Sequence, residues 1–175
     1  MDRTNDTAEI RALEQRLIDG IKARDLNQIM SCYSDDMFAF DVVPPQQYVG
    51  AAAFREPWQG FLDMLKGPIN AEVNDLVINS DGEIAYSHSV HHFSGTTNEG
   101  KPFDATFRIT DVYRKTHGKW VIVQEHVSLP AAAPPMVSWL QTEQRFLTFD
   151  MKIEMPLGGS ENYEARYRSL DAQFA

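Results

Sequence analysis

Asp41 closes an otherwise apolar run, Met37-Phe38-Ala39-Phe40-Asp41-Val42-Val43, just before Pro44-Pro45. Asp111 interrupts a second stretch of buried-strand character, Phe107-Arg108-Ile109-Thr110-Asp111-Val112-Tyr113. A charge in such surroundings costs on the order of several kcal/mol unless it is paired, hydrogen-bonded or neutralised. Acids in these places suggest a pocket that uses them. Each also has a plain structural explanation. Asp41 suits backbone amides at the Pro-Pro turn, and Asp111 suits an ion pair with Arg108, Arg114 or Lys115.

His88, His91, His92 and His126 raise the question of a metal site. His88 and His92 share a strand face but lie roughly 13 Å apart along it, at ~3.3 Å per residue. That is too far for one zinc, so no metal is expected. Cys32 has no cationic neighbour in sequence and reads as a buried structural thiol. Phe38, Phe40, Tyr48, Phe54 and Trp58 are individually core residues, yet as a set beside Asp41 they are suited to a pocket mouth. No nucleophile elbow, phosphate loop or zinc signature occurs.

At 175 residues the chain suits one domain with an appended element. A chain of this length buries roughly two-thirds of its unfolded surface, enough for a core. The net charge of −9 and pI near 4.9 argue against nucleic acid or an anionic membrane as partner. A single cysteine, no apolar leader at the N-terminus and no membrane-length apolar run give a cytoplasmic location as the expectation.

The elements that must position these residues follow from periodicity. Ile10, Leu13, Leu17 and Ile21 form one stripe of a helix from about 6 to 24, with Asp6 as its cap. A second helix starts at Asp25 and ends at Ser34-Asp35-Asp36, and the run to Val43 is a short strand. A third helix follows Gly50 and carries Phe54, Trp58, Phe61, Leu62 and Leu65, with Pro57 inside it. Strands follow at about 69–79, 84–95, 102–115 and 119–128, the first two joined by a two-residue Asp81-Gly82 hairpin. The predicted domain spans 1–130. Residues 131–175 form an extension, with a strand at about 147–155 and a helix at about 161–174, packed on the core or on a partner subunit.

This order, with the segments Tyr33-Ser34-Asp35-Asp36 through Phe40-Asp41 to Val49–Arg55 and Gly118-Lys119-Trp120-Val121-Ile122-Val123-Gln124-Glu125-His126-Val127, resembles the NTF2-like superfamily. Within it the chain is similar to SnoaL-like and ketosteroid-isomerase-like proteins. The resemblance implies an α+β cone in which helices cover a curved antiparallel sheet around a pocket. It places the isomerase general base on Asp41 and the neutral, oxyanion-holding acid on Asp111. The oxyanion tyrosine falls on Leu17, which cannot donate a hydrogen bond. The last segment is also similar to the association domain of calmodulin-dependent kinase, whose cavity cations fall at His88, Asp111 and Val127.

With Asp111 inward, parity adds Phe103, Ala105, Phe107, Ile109 and Tyr113 to the cavity. With His88 inward, it adds Ile84, Tyr86, Val90 and His92. Val127 brings Val121, Val123 and Glu125, while Arg108, Thr110, Trp120, Gln124 and His126 take the outer face. Leu17, Tyr33, Phe38, Phe54 and Trp58 complete the expected lining. The expected function is cofactor-free proton transfer next to a carbonyl, by an isomerase, cyclase or dehydratase, with Asp41, Asp111 and His88 as catalytic residues. The expected ligand is small, apolar or carbonyl-containing, and the expected assembly is a homodimer. The alternative is a non-catalytic ligand-binding or assembly module of the same fold.

Overall fold

Ile10, Leu13, Leu17 and Ile21 do form one buried stripe in the computed structural model, which describes residues 3–130. They lie on α1 (Arg3–Ala23), which packs against the sheet. Asp6 is not its cap. It sits within the first turns, buried, accepting hydrogen bonds from Lys115 Nζ at 2.9 Å and Trp120 Nε1 at 3.3 Å. The carboxylate thus ties the start of α1 to the sheet. The Lys115 ammonium is the main reason its pKa is held below the ordinary aspartate range.

The next helix, α2 (Leu26–Met30), is a single capped turn, its Asp25 carboxylate accepting the Gln28 N–H at 2.9 Å. Its end comes earlier than the acidic triplet suggests. Ser34, Asp35 and Asp36 already belong to β1 (Tyr33–Phe40). After the two-residue β2 (Tyr48–Val49) comes α3 (Ala51–Met64), which contains Pro57 and buries Phe54 and Leu62. Arg24, at a positive φ of 57°, closes the far end of α3. Its guanidinium donates to the carbonyls of Leu62 and Leu65, meeting carbonyls the helix end leaves unpaired.

The remaining strands are β3 (Leu65–Ser80), β4 (Ile84–Thr97), β5 (Pro102–Thr116) and β6 (Lys119–Ser128). They form the expected antiparallel meander, and β1 joins it parallel to β6. The sheet order is β2-β1-β6-β5-β4-β3, a curved mixed sheet that does not close. The β3–β4 turn spans 81–83 rather than two residues, with Gly82 supplying the positive φ of 90°. The expected strand at 147–155 and helix at 161–174 lie outside the described residues.

Two parity expectations fail. On β4 the buried residues are Ala85, Ser87, Ser89, His91 and Phe93, because Ser87 is the direct partner of Asp111 and Ser89 of Ile109. His88 pairs with Thr110 and faces outward with Ile84, Tyr86, Val90 and His92. On β6 the register slips between Val112 and Tyr113, whose partners are Gln124 and Ile122, leaving Val123 as a bulge. The bulge reverses the alternation. Trp120 and Ile122 are therefore buried before it, as Glu125 is after it.

Candidate active site

Between α3 and the inner face of β5 and β6 lies a cavity of about 540 Å³. Its wall is built from Trp58, Phe61 and Met64 of α3, Phe93 of β4, Phe103, Phe107 and Ile109 of β5, and Val127 of β6. The aromatic rings pack edge-on or tilted, with Phe61 5.6 Å from Phe93 and 5.8 Å from Phe103, and Phe93 5.6 Å from Phe107. Edge-to-face packing of this kind holds a wall in one shape. Among the described residues, Asp41 and Glu125 are the only ionisable ones in the lining.

Asp41 follows the last residue of β1, two positions beyond Ala39, which pairs with Glu125 in the parallel register. It is half-buried, and its Oδ1 accepts the Val42 amide. The backbone-bonded turn acid and the cavity acid are one residue. Burial raises its pKa, and the Val42 and Val43 amides oppose that rise.

Glu125 is 2% exposed and accepts a hydrogen bond of 2.8 Å from the Tyr33 hydroxyl. Burial pushes its pKa up to about 8; the Tyr33 bond works against that, and the charges of Asp41 and Glu14 add to it. Near neutral pH it is mainly a protonated acid. Tyr33 in turn rests edge-on against Phe54 at 5.3 Å.

Asp111 is not in the cavity lining. It lies one position behind it, as the direct cross-strand partner of Glu125, 1% exposed. It makes no ion pair with Arg108, Arg114 or Lys115. Tyr113 Oη stands 3.5 Å from its Oδ2 and donates to Glu14 Oε1 at 2.7 Å, while Ser87 Oγ is also 2.7 Å from that hydroxyl. Burial, then the charges of Glu125 and Glu14, raise the Asp111 pKa well above the aspartate range. Glu14, on the same buried cluster, is raised to about 6 by burial.

Of the other expected lining residues, Trp58, Ile109, Glu125 and Val127 line the cavity. Leu17, Tyr33, Phe54 and Tyr113 are buried in the core beside it. Four residues are elsewhere. His88 and Tyr86 stand exposed on the outer face, for the β4 parity reason given above. Phe38 faces the same side, 4.9 Å from Phe40, which lies 5.6 Å from His126. Val123 is displaced by its own bulge. Two residues were missed, Glu14 and His91. Glu14 stood between Leu13 and Leu17 on α1, so its neighbours carried the signal. His91 lay within the histidine cluster on the parity not chosen.

Among the described residues no group of three or more His, Cys, Asp or Glu is disposed to hold a metal ion. No described helix is long and apolar enough to cross a membrane.

Similar solved structures are numerous. An NTF2-like protein of unknown function from Pseudomonas putida is 26% identical, with a TM-score of 0.65, over 91% of this chain and 98% of its own. A candidate association domain of calcium/calmodulin-dependent protein kinase II from Xanthomonas campestris is 22% identical (TM-score 0.63, 71% and 88% covered). A candidate scytalone dehydratase from Novosphingobium aromaticivorans is 13% identical (TM-score 0.66, 74% and 89% covered) and supports the fold alone. No protein of curated function matches. The SnoaL-like domain matches residues 10–132, which include both cavity acids and every strand described here, and the chain therefore belongs to the SnoaL-like, NTF2-like family.

Proposed function

We propose that the cavity takes a small, largely apolar carbonyl compound and that Asp41 and Glu125 move a proton on it. The observation that carries this reading is the pairing of two acids in one apolar cavity, with burial raising both. Asp41, as carboxylate, removes a proton from the carbon next to the carbonyl. The C–H electron pair becomes the new C=C bond, and the carbonyl electrons move onto oxygen. Neutral Glu125 donates its O–H to that oxygen as charge develops. Returning the proton at another carbon completes an isomerisation, and expelling a β-hydroxyl as water completes a dehydration. No cofactor enters these steps. Asp111, buried behind the wall and itself held neutral by burial and by the charge of Glu125, takes no direct part, in place of the role the resemblance gave it. The name of the dehydratase-like structure suits the same reaction class.

The test is exchange of α-protons in a panel of cyclic ketones in deuterated water, followed by NMR. Wild type should exceed buffer catalysis, and Asp41→Asn should lower the rate by about 100-fold or more. The rate should fall as pH rises through about 8, because the active form of Glu125 is the protonated one. Glu125→Gln should remove that limb. A second reading, binding without catalysis, is favoured by Leu17, which is buried where a tyrosine donor is absent. Saturable ligand binding with no exchange across the panel would establish it. The assembly that fits either reading is a homodimer joined through the outer sheet face, where Phe40, Ile84 and Tyr86 are exposed.

A further inference from the structure

Among the described residues, five buried side-chain polar atoms have no hydrogen-bond partner: Glu14 Oε2, Ser89 Oγ, His91 Nε2, Asp111 Oδ1 and Trp58 Nε1. The first four belong to residues outside the cavity lining, and each of those atoms is able to accept a hydrogen bond. Trp58 differs on both counts. It lines the cavity from α3, and an indole nitrogen can only donate. A buried N–H left unpaired costs about 1–3 kcal/mol. A wall that keeps one is complementary to a ligand that accepts.

Packing and hydrogen bonding fix the end of the cavity at which this donor stands. The Trp58 ring lies edge-on to Phe54 at 6.4 Å and to Phe61 at 6.1 Å. Phe54 in turn meets the Tyr33 ring at 5.3 Å, and the Tyr33 hydroxyl donates to Glu125 Oε2 at 2.8 Å. Burial, then the charges of Glu125 and Asp111, raise the Tyr33 pKa, and the Trp58 N–H opposes that rise, as a donor beside the hydroxyl oxygen does. The two groups nevertheless fall short of hydrogen-bond geometry. The indole N–H and the Glu125 carboxyl therefore stand on either side of Tyr33, at one corner of the cavity.

We propose that the Trp58 indole N–H is the second donor to the oxygen of the carbonyl ligand, sharing that oxygen with Glu125. A carbonyl oxygen offers two lone pairs; the Glu125 O–H takes one and the indole the other. The resemblance expected a tyrosine donor from α1, where the chain has buried Leu17. Here α3 supplies a donor instead, from the opposite wall. As negative charge develops on the oxygen, both hydrogen bonds strengthen, whereas a hydrocarbon of the same shape gains nothing from either. Trp58 is thus a specificity-determining residue for the carbonyl and, where proton transfer follows, a catalytic one. The inference rests on the carbonyl ligand of the proposed reading and not on its proton transfer.

The experiment uses the full chain, isotope-labelled at the tryptophan indole nitrogens and read by proton–nitrogen correlation NMR during titration with 1-indanone and, separately, with indane. The chain has three tryptophans, and Trp58→Phe identifies the Trp58 signal by its loss. The Trp58 indole proton should move downfield saturably with 1-indanone and show no such shift with indane. Trp58→Phe should weaken 1-indanone about fivefold more than it weakens indane, the worth of one neutral hydrogen bond. It should also slow α-proton exchange of 1-indanone by roughly 100-fold. Because phenylalanine trims the wall, site-specific benzothienylalanine at position 58 is the second variant; it keeps the ring shape with sulfur in place of the N–H. It should reproduce the loss for the ketone and leave indane unchanged.

A Trp58 proton already downfield without ligand and unmoved by 1-indanone would mean that the N–H is spent on Tyr33, and would overturn the inference. So would 1-indanone binding no tighter than indane, or an equal loss of both in the benzothienylalanine protein. The proposed reaction fails separately: a shifted Trp58 signal with no α-proton exchange removes the proton transfer and leaves the donor in place.

Discussion

Glu125 is held near the midpoint of its titration at pH 8 by opposing influences that can be separated one residue at a time. Burial and the neighbouring acids favour the neutral form, while the Tyr33 hydroxyl favours the anion. Tyr33→Phe should therefore move the alkaline limb of the exchange rate to higher pH, a change a purely structural role for Tyr33 would not produce. The same group couples the fold to pH. Its folded pKa is raised from 4.5 to about 8, so its stabilising contribution is complete below the unfolded value and is lost as pH rises to the folded one. Denaturant unfolding between roughly pH 6.5 and 8 should show wild type losing stability as pH rises, by roughly 1 kcal/mol per pH unit from this group, with the slope easing towards pH 8. Glu125→Gln should flatten that slope; an unchanged slope would mean that Glu125 is ionised in the folded protein. His91 acts below this window, since its lowered pKa withdraws stability only as pH falls from about 6.5 towards 4.

The elements were largely legible because their signals are local. The stripe of α1, the Asp25 cap and the turns around Gly82 and Gly118 depend on neighbours in sequence, and the structure has them. What was not legible was which face of a strand meets the core. Alternation gives two faces without naming the buried one. On β4 an outer series containing Tyr86 and Ile84 is as apolar as the inner series containing Ser87, Ser89 and His91. Only the pairing of Ser87 with Asp111 decides between them. Asp41 could be found because it breaks a short apolar run, whereas Glu14 is hidden in an ordinary amphipathic helix. Arg24 shows the same limit, since its partners Leu62 and Leu65 are distant in sequence. Arg24→Ala should cost about 1–2 kcal/mol in unfolding free energy by stranding those carbonyls, and Arg24→Lys should recover only part of it.

At the scale of the whole molecule the sheet divides the chemistry. Acids, aromatic rings and the cavity occupy its concave side, under α1 and α3. The other side carries His88, His126, Phe38, Phe40, Ile84 and Tyr86. The resemblance led towards the second set through His88, while the cavity belongs to the first. Sedimentation should give a dimer mass for the full chain, and Tyr86→Glu on the outer face should shift it to monomer without altering ketone exchange. A dimer that survives this change is joined elsewhere.

The extra residue at Val123 makes β6 a strand with two rhythms. In a saturation mutagenesis library read out by abundance, intolerant positions should fall at 120, 122, 125 and 127, a spacing of two, three, two. Deleting Val123 would leave Trp120, Ile122, Glu125 and Val127 on one face in unbroken alternation, whereas deleting Val121 would turn Trp120 away from the face that Ile122 occupies. The same one-residue loss is thus absorbed at the bulge and damaging two positions before it.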